Sequence, residues 1–397
     1  MNKLNVPDNV DYILSKLNNN GFSAYIIGGC VRDALLRREP KDWDITTNAT
    51  PDEVESLFEY TIPTGKQYGT ITVVINREPY EVTTFRADSN YSDGRRPDKV
   101  TFSNSLKEDV IRRDFTINSL AYNGEEGLID YVGGISDLTN GIIRAVGEPD
   151  KRFKEDALRI LRALRFAFKY DFDIEENTFN SLIKNMKLIK NVSNERITSE
   201  LIQIIKYIKP SQLLVKCLPL IQYLLDTNIE YNYNLINCLF NVRDFEVRLA
   251  YLLNEKSITE CQTWLKKMKF SNNQTKVILG AIDIYYNRYN YDKHYVIRKS
   301  INKWGFRIVK MTLPLICLKD DIYENIYNNI IKNHDPLFIK DLVIDGNYLK
   351  EKYNLNGIII GNILNECMEN VLINPENNIK DKLDNIIGFF LYDNIEV

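Results

Sequence analysis

The hydrophobic pattern of this chain changes its period once. Up to about residue 146, short apolar runs with strand character alternate with amphipathic helical stretches. Beyond it the spacing is helical, as in Ile160, Leu161, Leu164 and Phe168, or Ile197, Leu201, Ile204 and Ile205. Strand side chains repeat every second residue and helical ones every 3.6, so a sequence written in one period does not settle into the other structure. The expected fold class is α+β: a mixed-sheet N-terminal part followed by an all-helical remainder.

Within the first part, residues 24–27 read as a buried strand, 31–38 as a helix, 42–47 as a strand and 51–58 as a helix capped by Thr50. Residues 69–75 and 79–86 alternate like sheet strands around a turn at Asn76-Arg77-Glu78, which makes the sheet mixed. Residues 87–97 are polar, with Asp93-Gly94 and Pro97 as breakers, and read as a mobile loop. Ser105 and Glu108 have capping-box spacing and are expected to start a helix that carries residues 112–120.

At 397 residues, 44% hydrophobic and 26% charged, the chain is long enough for several units sharing buried surface. Cys30, Cys217, Cys238, Cys261, Cys317 and Cys367 form no Cys-x-x-Cys pair and have no flanking histidines, so they read as buried thiols rather than a zinc site. His294 and His334, the two histidines, have no triad-like neighbours. The N-terminus has no basic segment leading an apolar run, and no stretch approaches the roughly 20 apolar residues of a membrane span. A reducing cytoplasm, no membrane and no obligate protein partner are expected. Net charge is −3, so any nucleic-acid contact depends on local basic patches.

Asp42 and Asp44 flank one residue on an expected strand, which points both carboxylates to one face. Two such carboxylates suit Mg²⁺ ions in nucleotidyl transfer, although an isolated Asp-x-Asp is equally an exposed acidic pair. Just upstream, Gly28-Gly29 follows a strand and opens a helix bearing Arg32 and Asp33. A glycine pair there lets backbone amides approach a phosphate, and it also serves as a plain strand-to-helix turn. A phosphate cradle and a metal pair about a dozen residues apart are the two parts needed to hold a nucleoside triphosphate.

These blocks resemble a known family. Gly28-Gly29-Cys30-Val31-Arg32-Asp33, Asp42-Trp43-Asp44-Ile45 and Arg112-Arg113-Asp114-Phe115-Thr116-Ile117-Asn118 are followed by residues 130–137 with Gly133-Gly134, by Glu155-Asp156-Ala157-Leu158-Arg159, and by Glu195-Arg196 with Glu200. In this order they resemble the bacterial tRNA nucleotidyltransferase and poly(A) polymerase family, class II of the DNA polymerase beta superfamily. The likeness is nearly continuous from Ala24 to about Leu201. It implies a catalytic palm over residues 1–146, a helical neck that recognises the base over 147–205, a helical body over 206–310 and a tRNA-binding tail over 311–397.

The same resemblance implies that Asp42 and Asp44 carry catalytic metal, with Glu81 a candidate third carboxylate. Gly28, Gly29, Arg32, Arg112, Arg113, Asp114 and Asn118 would bind the nucleotide, Arg113 and Asp114 at its ribose. Asp156 and Arg159, three apart on an expected helix, would act as a protein template. A carboxylate accepts from cytosine N4 or adenine N6 while arginine donates to the neighbouring ring acceptor; guanine and uracil present a carbonyl instead. Read alone, the pair is a helical salt bridge. Arg162 and Arg165 extend this basic face toward triphosphate or acceptor end, and Arg196 and Glu200 brace it.

Residues 86–97 resemble the flexible loop required for the ATP step, and residues 340–349 and 357–364 resemble the tail of CCA-adding relatives, without its glycine-proline turn. The expected reaction is addition of C, C and A to a tRNA 3′ end from CTP and ATP. A-adding enzymes, poly(A) polymerases and a catalytically silent RNA-binding protein remain the alternatives. Lys266, Lys267 and Lys269 with Trp264, and Arg298, Lys299 and Lys303 with Trp304, are candidate phosphate-backbone contacts or solvated faces.

Overall fold

The computed structural model describes residues 4–88, 100–288, 292–317 and 322–395. The chain forms two compact units, Met1–Ile208 and Lys209–Val397.

In the first unit, α1 (Asp8–Asn19) buries Val10, Ile13, Leu14 and Leu17 along one stripe. The fully buried β1 (Ala24–Ile27) turns at Gly28 into α2 (Gly29–Leu35), and the chain returns through β2 (Ile45–Thr47). Thr50 and Glu53 cap α3 (Pro51–Leu57) reciprocally, with Pro51 at its first turn. Next come β3 (Thr61–Gly65), β4 (Thr70–Ile75) and β5 (Glu78–Thr84). The β4–β5 turn rests on Asn76 and Arg77 alone, both at positive φ, which is the two-residue hairpin geometry that matches strand twist.

A separate antiparallel ribbon pairs β6 (Arg86–Asp88) with β7 (Val100–Phe102). Residues 87 and 88 are therefore in a strand, and the rest of the expected loop, 89–97, lies outside the described residues. After α4 (Leu106–Ile111) the chain adds β8 (Ala121–Asn123) and β9 (Gly127–Ile129). The main sheet has the order β3-β4-β5-β2-β1-β8-β9, with β2 parallel to β5 and the other neighbours antiparallel, so it is mixed as expected.

Three expected elements are shorter or shifted. The 42–47 strand begins at Ile45, because β1 leaves the sheet at Gly28 and offers no partner beyond the bond from Ile27 N–H to Asp44 C=O. The 31–38 helix spans Gly29–Leu35 and closes with Arg37 in the left-handed region. The helix expected to carry 112–120 stops at Ile111, since the next residues are drawn into extended pairing: Val146 N–H donates to Asp114 C=O and Thr116 N–H to Arg144 C=O. Ser105 precedes α4 without a side-chain cap bond; the Ser103 hydroxyl donates to Glu108 and accepts from Ser105 N–H instead.

The unit closes with α5 (Gly134–Asn140), α6 (Pro149–Glu155), α7 (Leu158–Tyr170), α8 (Glu176–Asn185) and α9 (Asn194–Tyr207), of which α7 packs along α9. Gly134 approaches Thr116 so closely that an added Cβ would lie 2.3 Å from its carbonyl oxygen, which requires glycine there.

The second unit is helical from Gln212–Leu225 to Lys380–Ile395. One apolar cluster from Val277 to Ile387 joins helices on either side of residue 310. Arg298 is buried and donates to Asp335, Leu372 C=O and Ile373 C=O, Lys299 pairs with Glu369, and Lys303 and Trp304 both reach Asp283. That basic cluster is thus tied into the fold, whereas Lys266, Lys267 and Lys269 are exposed. The six cysteines form no disulfide; five are buried as expected, and Cys317 is half-buried. No helix among the described residues is long and apolar enough to cross a membrane.

Candidate active site

A cleft of about 430 Å³ opens in the first unit, with Asp44, Glu81 and Thr83 on its sheet side and Arg112, Arg113, Asp114, Asp156, Arg159, Arg162 and Arg196 around the rest. The register of the sheet explains its floor. Ile45 pairs with Val82 in the parallel β2–β5 ladder, so Glu81 stands level with Asp44. Alternation along β5 then puts Glu81 and Thr83 on the face that lines the cleft.

The carboxylates repel one another there. Asp44 is solvent-accessible but walled in; burial chiefly raises its pKa and Asp42 adds to this, while Arg113 works against it. Burial, then Asp44, then Asp42 raise Glu81. Both aspartates precede β2 rather than lying on it; Asp44 is among the residues that line the cleft and Asp42 is not, so Asp42 acts on Asp44 and Glu81 through its charge. Among the described residues, no three His, Cys, Asp or Glu side chains close around one point. A hard cation such as Mg²⁺, which takes one or two carboxylates together with substrate oxygens and water, fits this clustered negative charge.

Arg112 and Arg113 are held by Asp109, which is fully buried on α4. Arg112 donates from Nε and Nη2 to Asp109 Oδ1 at 3.0 and 2.6 Å, and Arg113 Nη2 reaches Oδ2 at 3.2 Å. Burial would raise the Asp109 carboxyl, but Arg113 and Arg112 outweigh it and lower the pKa. Sequence reading missed Asp109, although its position three and four residues before the arginines is the spacing that places side chains on one helical face.

Asp114 is also buried. Its Oδ1 accepts from Phe115 N–H and Asn118 Nδ2, and its Oδ2 from Arg162 at 2.8 Å. Burial pushes this carboxyl up, but Arg162, Asn118 and Arg159 hold it down at about 2. Asp114 thus holds Arg162 while itself lining the cleft.

Asp156 and Arg159 do not share one continuous helix. α6 ends at Glu155, and Asp156 takes an extended conformation, its Oδ1 accepting from Leu158 N–H at 3.0 Å as α7 begins. Both residues still line the cleft. They do not form the salt bridge that helical spacing allows: Arg159 pairs with Glu155 at 2.7 Å and donates to Arg112 C=O, while Arg196 holds Asp156 at 2.8 Å. Arg196 therefore joins the cleft wall, while Glu200 braces Arg165 at 2.5 Å.

Gly28 sits at φ +83°, and its N–H donates to Leu120 C=O. A Cβ there would lie 3.1 Å from Arg113 Nη1, so this glycine makes room for the arginine. Gly29 begins α2. Arg32 is buried, donating to Asp33 and Asn118. The bonds Arg32–Asn118–Asp114–Arg162 form one polar chain behind the cleft.

Comparison with known proteins shows the family. The poly A polymerase head domain model matches residues 24–144, and the model described as the probable RNA and SrmB-binding site of polymerase A matches 171–222. The CCA-adding enzyme of Staphylococcus aureus (strain MRSA252) is 39% identical over 336 residues, which is 84% of this chain and 81% of the relative. The chain belongs to the CCA-adding enzyme family. Among solved structures, the Bacillus stearothermophilus CCA-adding enzyme in complex with CTP is similar at TM-score 0.74 and 26% identity, over 98% of each chain. The Thermotoga maritima CCA-adding enzyme complexed with tRNA-CCA shares the fold at TM-score 0.66 and 20% identity, over 97% of this chain and 96% of that one. The mixed sheet followed by helices is thus the architecture of CCA-adding enzymes, and the chain is a nucleotidyltransferase.

Proposed function

We propose that the chain adds C, C and A in turn to the 3′ end of tRNA from CTP and ATP, without a nucleic-acid template, and releases pyrophosphate. The observation that carries this reading is that Asp44 and Glu81 share one cleft with Asp156, Arg159 and Arg196. Charge for a triphosphate site and polar groups for reading a base thereby face the same space. The Staphylococcus aureus relative and the structure with CTP support the same activity.

In the reaction, the tRNA 3′-oxygen bonds to the α-phosphorus, the α–β bridging bond breaks, pyrophosphate takes the electron pair, and the hydroxyl proton passes to water. Asp42 and Asp44 would hold magnesium, with Glu81 beside them; when bound, it supplies Lewis-acid stabilisation of charge on the transferring group. Asp156 accepts from the exocyclic amino group of cytosine or adenine, and Arg159 donates to the adjacent ring acceptor. A uracil or guanine carbonyl facing Asp156 leaves acceptor against acceptor, at a cost of about 1–3 kcal/mol. Arg112, Arg113 and Arg162 offset phosphate charge, and Gly28 and Gly29 let the chain approach closely. Asp114, Asn118, Arg32 and Arg165 orient this set.

Residues 1–146 act as palm, 147–205 as the base-reading neck, 206–310 as body and 311–397 as tail, the last two gripping tRNA by shape and phosphate contacts in the cytoplasm. No obligate protein partner is needed. Incubation with Mg²⁺, labelled CTP or ATP, and tRNA ending at the discriminator base, at C or at CC tests the reading. Labelling by CTP on the first two and by ATP on the third is expected; labelling by ATP alone would make it an A-adding enzyme, and no labelling a silent RNA binder.

A further inference from the structure

A row of cations leads away from the cleft along α7. Arg162 stands at the cleft wall, its guanidinium 5.3 Å from the centroid of the buried Phe166 ring. Arg165 and Arg32 lie 4.1 and 5.1 Å from the same ring. Phe166 stacks on Tyr170 with centroids 6.2 Å apart. Around Tyr170, Arg32 lies at 4.7 Å and both Arg38 and Lys169 at 4.9 Å, each within cation–π range.

Neutralisation changes along this row. Arg162 is paired with Asp114, Arg165 with Glu200 and Arg32 with Asp33. Among the described residues, neither Arg38 nor Lys169 has a carboxylate within ion-pair distance. Arg38 is exposed and Lys169 half-buried, so both are open to an incoming ion. Burial lowers the Lys169 pKa, Asp33 raises it, and Arg32, Arg165 and Arg38 lower it further, so an arriving anion would relieve like-charge crowding.

We propose that Arg38 and Lys169 form an anion site that receives the departing pyrophosphate and guides it out. The proposal rests on the nucleotidyl-transfer reading above. On that reading Asp156, just before α7, takes the base, and Arg162 at the same cleft wall offsets phosphate charge. Lys169 lies about 10 Å further along the helix axis. Once the α–β bond has broken, the freed polyanion moves from cations already paired with carboxylates to two that are not. Neither side chain lines the cleft, so neither touches the reacting atoms.

The test uses the full chain with CTP and tRNA ending at the discriminator base. In Lys169→Met and Arg38→Gln, the pyrophosphate concentration that half-inhibits the reaction is expected to rise about tenfold, the loss of one charge-assisted contact. Steady-state turnover should fall while first-turnover incorporation of C and the KM for tRNA stay at wild-type values. Lys169→Arg should restore pyrophosphate inhibition, and thermal melts confirm folding. Unchanged pyrophosphate inhibition would overturn the proposal, as would a raised KM for tRNA with inhibition unaltered, which would make the patch an RNA contact. Loss of first-turnover incorporation in folded Lys169→Met would overturn it as well. If the wild type incorporates no C, it is the nucleotidyl-transfer reading that fails.

Discussion

Arg196 grips the Asp156 carboxylate from α9, with Nη2 at 2.8 Å from Oδ2 and Nη1 at 3.4 Å from Oδ1. The residue proposed to read the base is thus aimed by a side chain forty positions away in sequence. Asp156→Ala is expected to relax base choice while turnover with some nucleotide persists. The CTP-over-UTP ratio of kcat/KM should fall by roughly tenfold or more, the worth of one acceptor-against-acceptor mismatch. Arg196→Ala should shift the ratio in the same direction by a smaller factor. Competition assays with labelled CTP and UTP check both, and an unaltered ratio in Asp156→Ala would refute the template role.

Burial of Asp44 and Glu81, with the negative charge of neighbouring aspartates added to it, has a thermal signature. Their folded pKa values are raised, so the metal-free fold favours their protonated forms, and stability declines as pH rises through those values. Above that window Mg²⁺ should raise Tm in the wild type by relieving the repulsion. Asp44→Asn should melt at the same temperature as the metal-free wild type or higher, gain little from Mg²⁺, and lose at least about a hundredfold in CMP incorporation. Differential scanning calorimetry with and without Mg²⁺, beside the incorporation assay, gives both readouts.

The sign reverses for Asp114, whose pKa falls from the ordinary carboxylate value to about 2. A depressed carboxyl stabilises the fold above its unfolded pKa, and that contribution disappears as pH falls from about 4 toward 2. The stake is on the order of 2 kcal/mol. Acid titration followed by circular dichroism should show less loss of stability across this window in Asp114→Asn than in the wild type, from a lower starting value at neutral pH.

Asp109 holds two cleft arginines from inside the protein. Asp109→Ala leaves both guanidiniums without that partner and should cost about 3–5 kcal/mol in urea unfolding. Asp109→Asn keeps the shape and part of the hydrogen bonding, so it should fold and instead raise the KM for both CTP and ATP. An Asp109→Asn variant with wild-type KM values would remove this residue from the site.

Much of the fold was legible in local pattern. The switch from strand to helix period marked the α+β order, the Thr50 cap and a turn at Asn76-Arg77-Glu78 followed from short-range chemistry, and the spaced motif blocks pointed to the family. Element ends were less legible. Whether 42–47 is strand throughout depends on β1 departing at Gly28, and whether a helix continues past Ile111 depends on pairing with residues 144–146, partners that a local window does not contain.

The candidate site divides in the same way. Sequence alone determined which side chains exist and their spacing, and together with the family resemblance this singled out Asp42, Asp44, Asp156 and Arg159. Tertiary structure decided their partners: Asp156 is tied to Arg196 rather than Arg159, Asp114 to Arg162, and Glu81 is brought beside Asp44 by the parallel β2–β5 register. The physical reason is that periodicity fixes which face of its own element a side chain occupies, whereas ion pairs and carboxylate clusters form between elements, where packing and register set the distances.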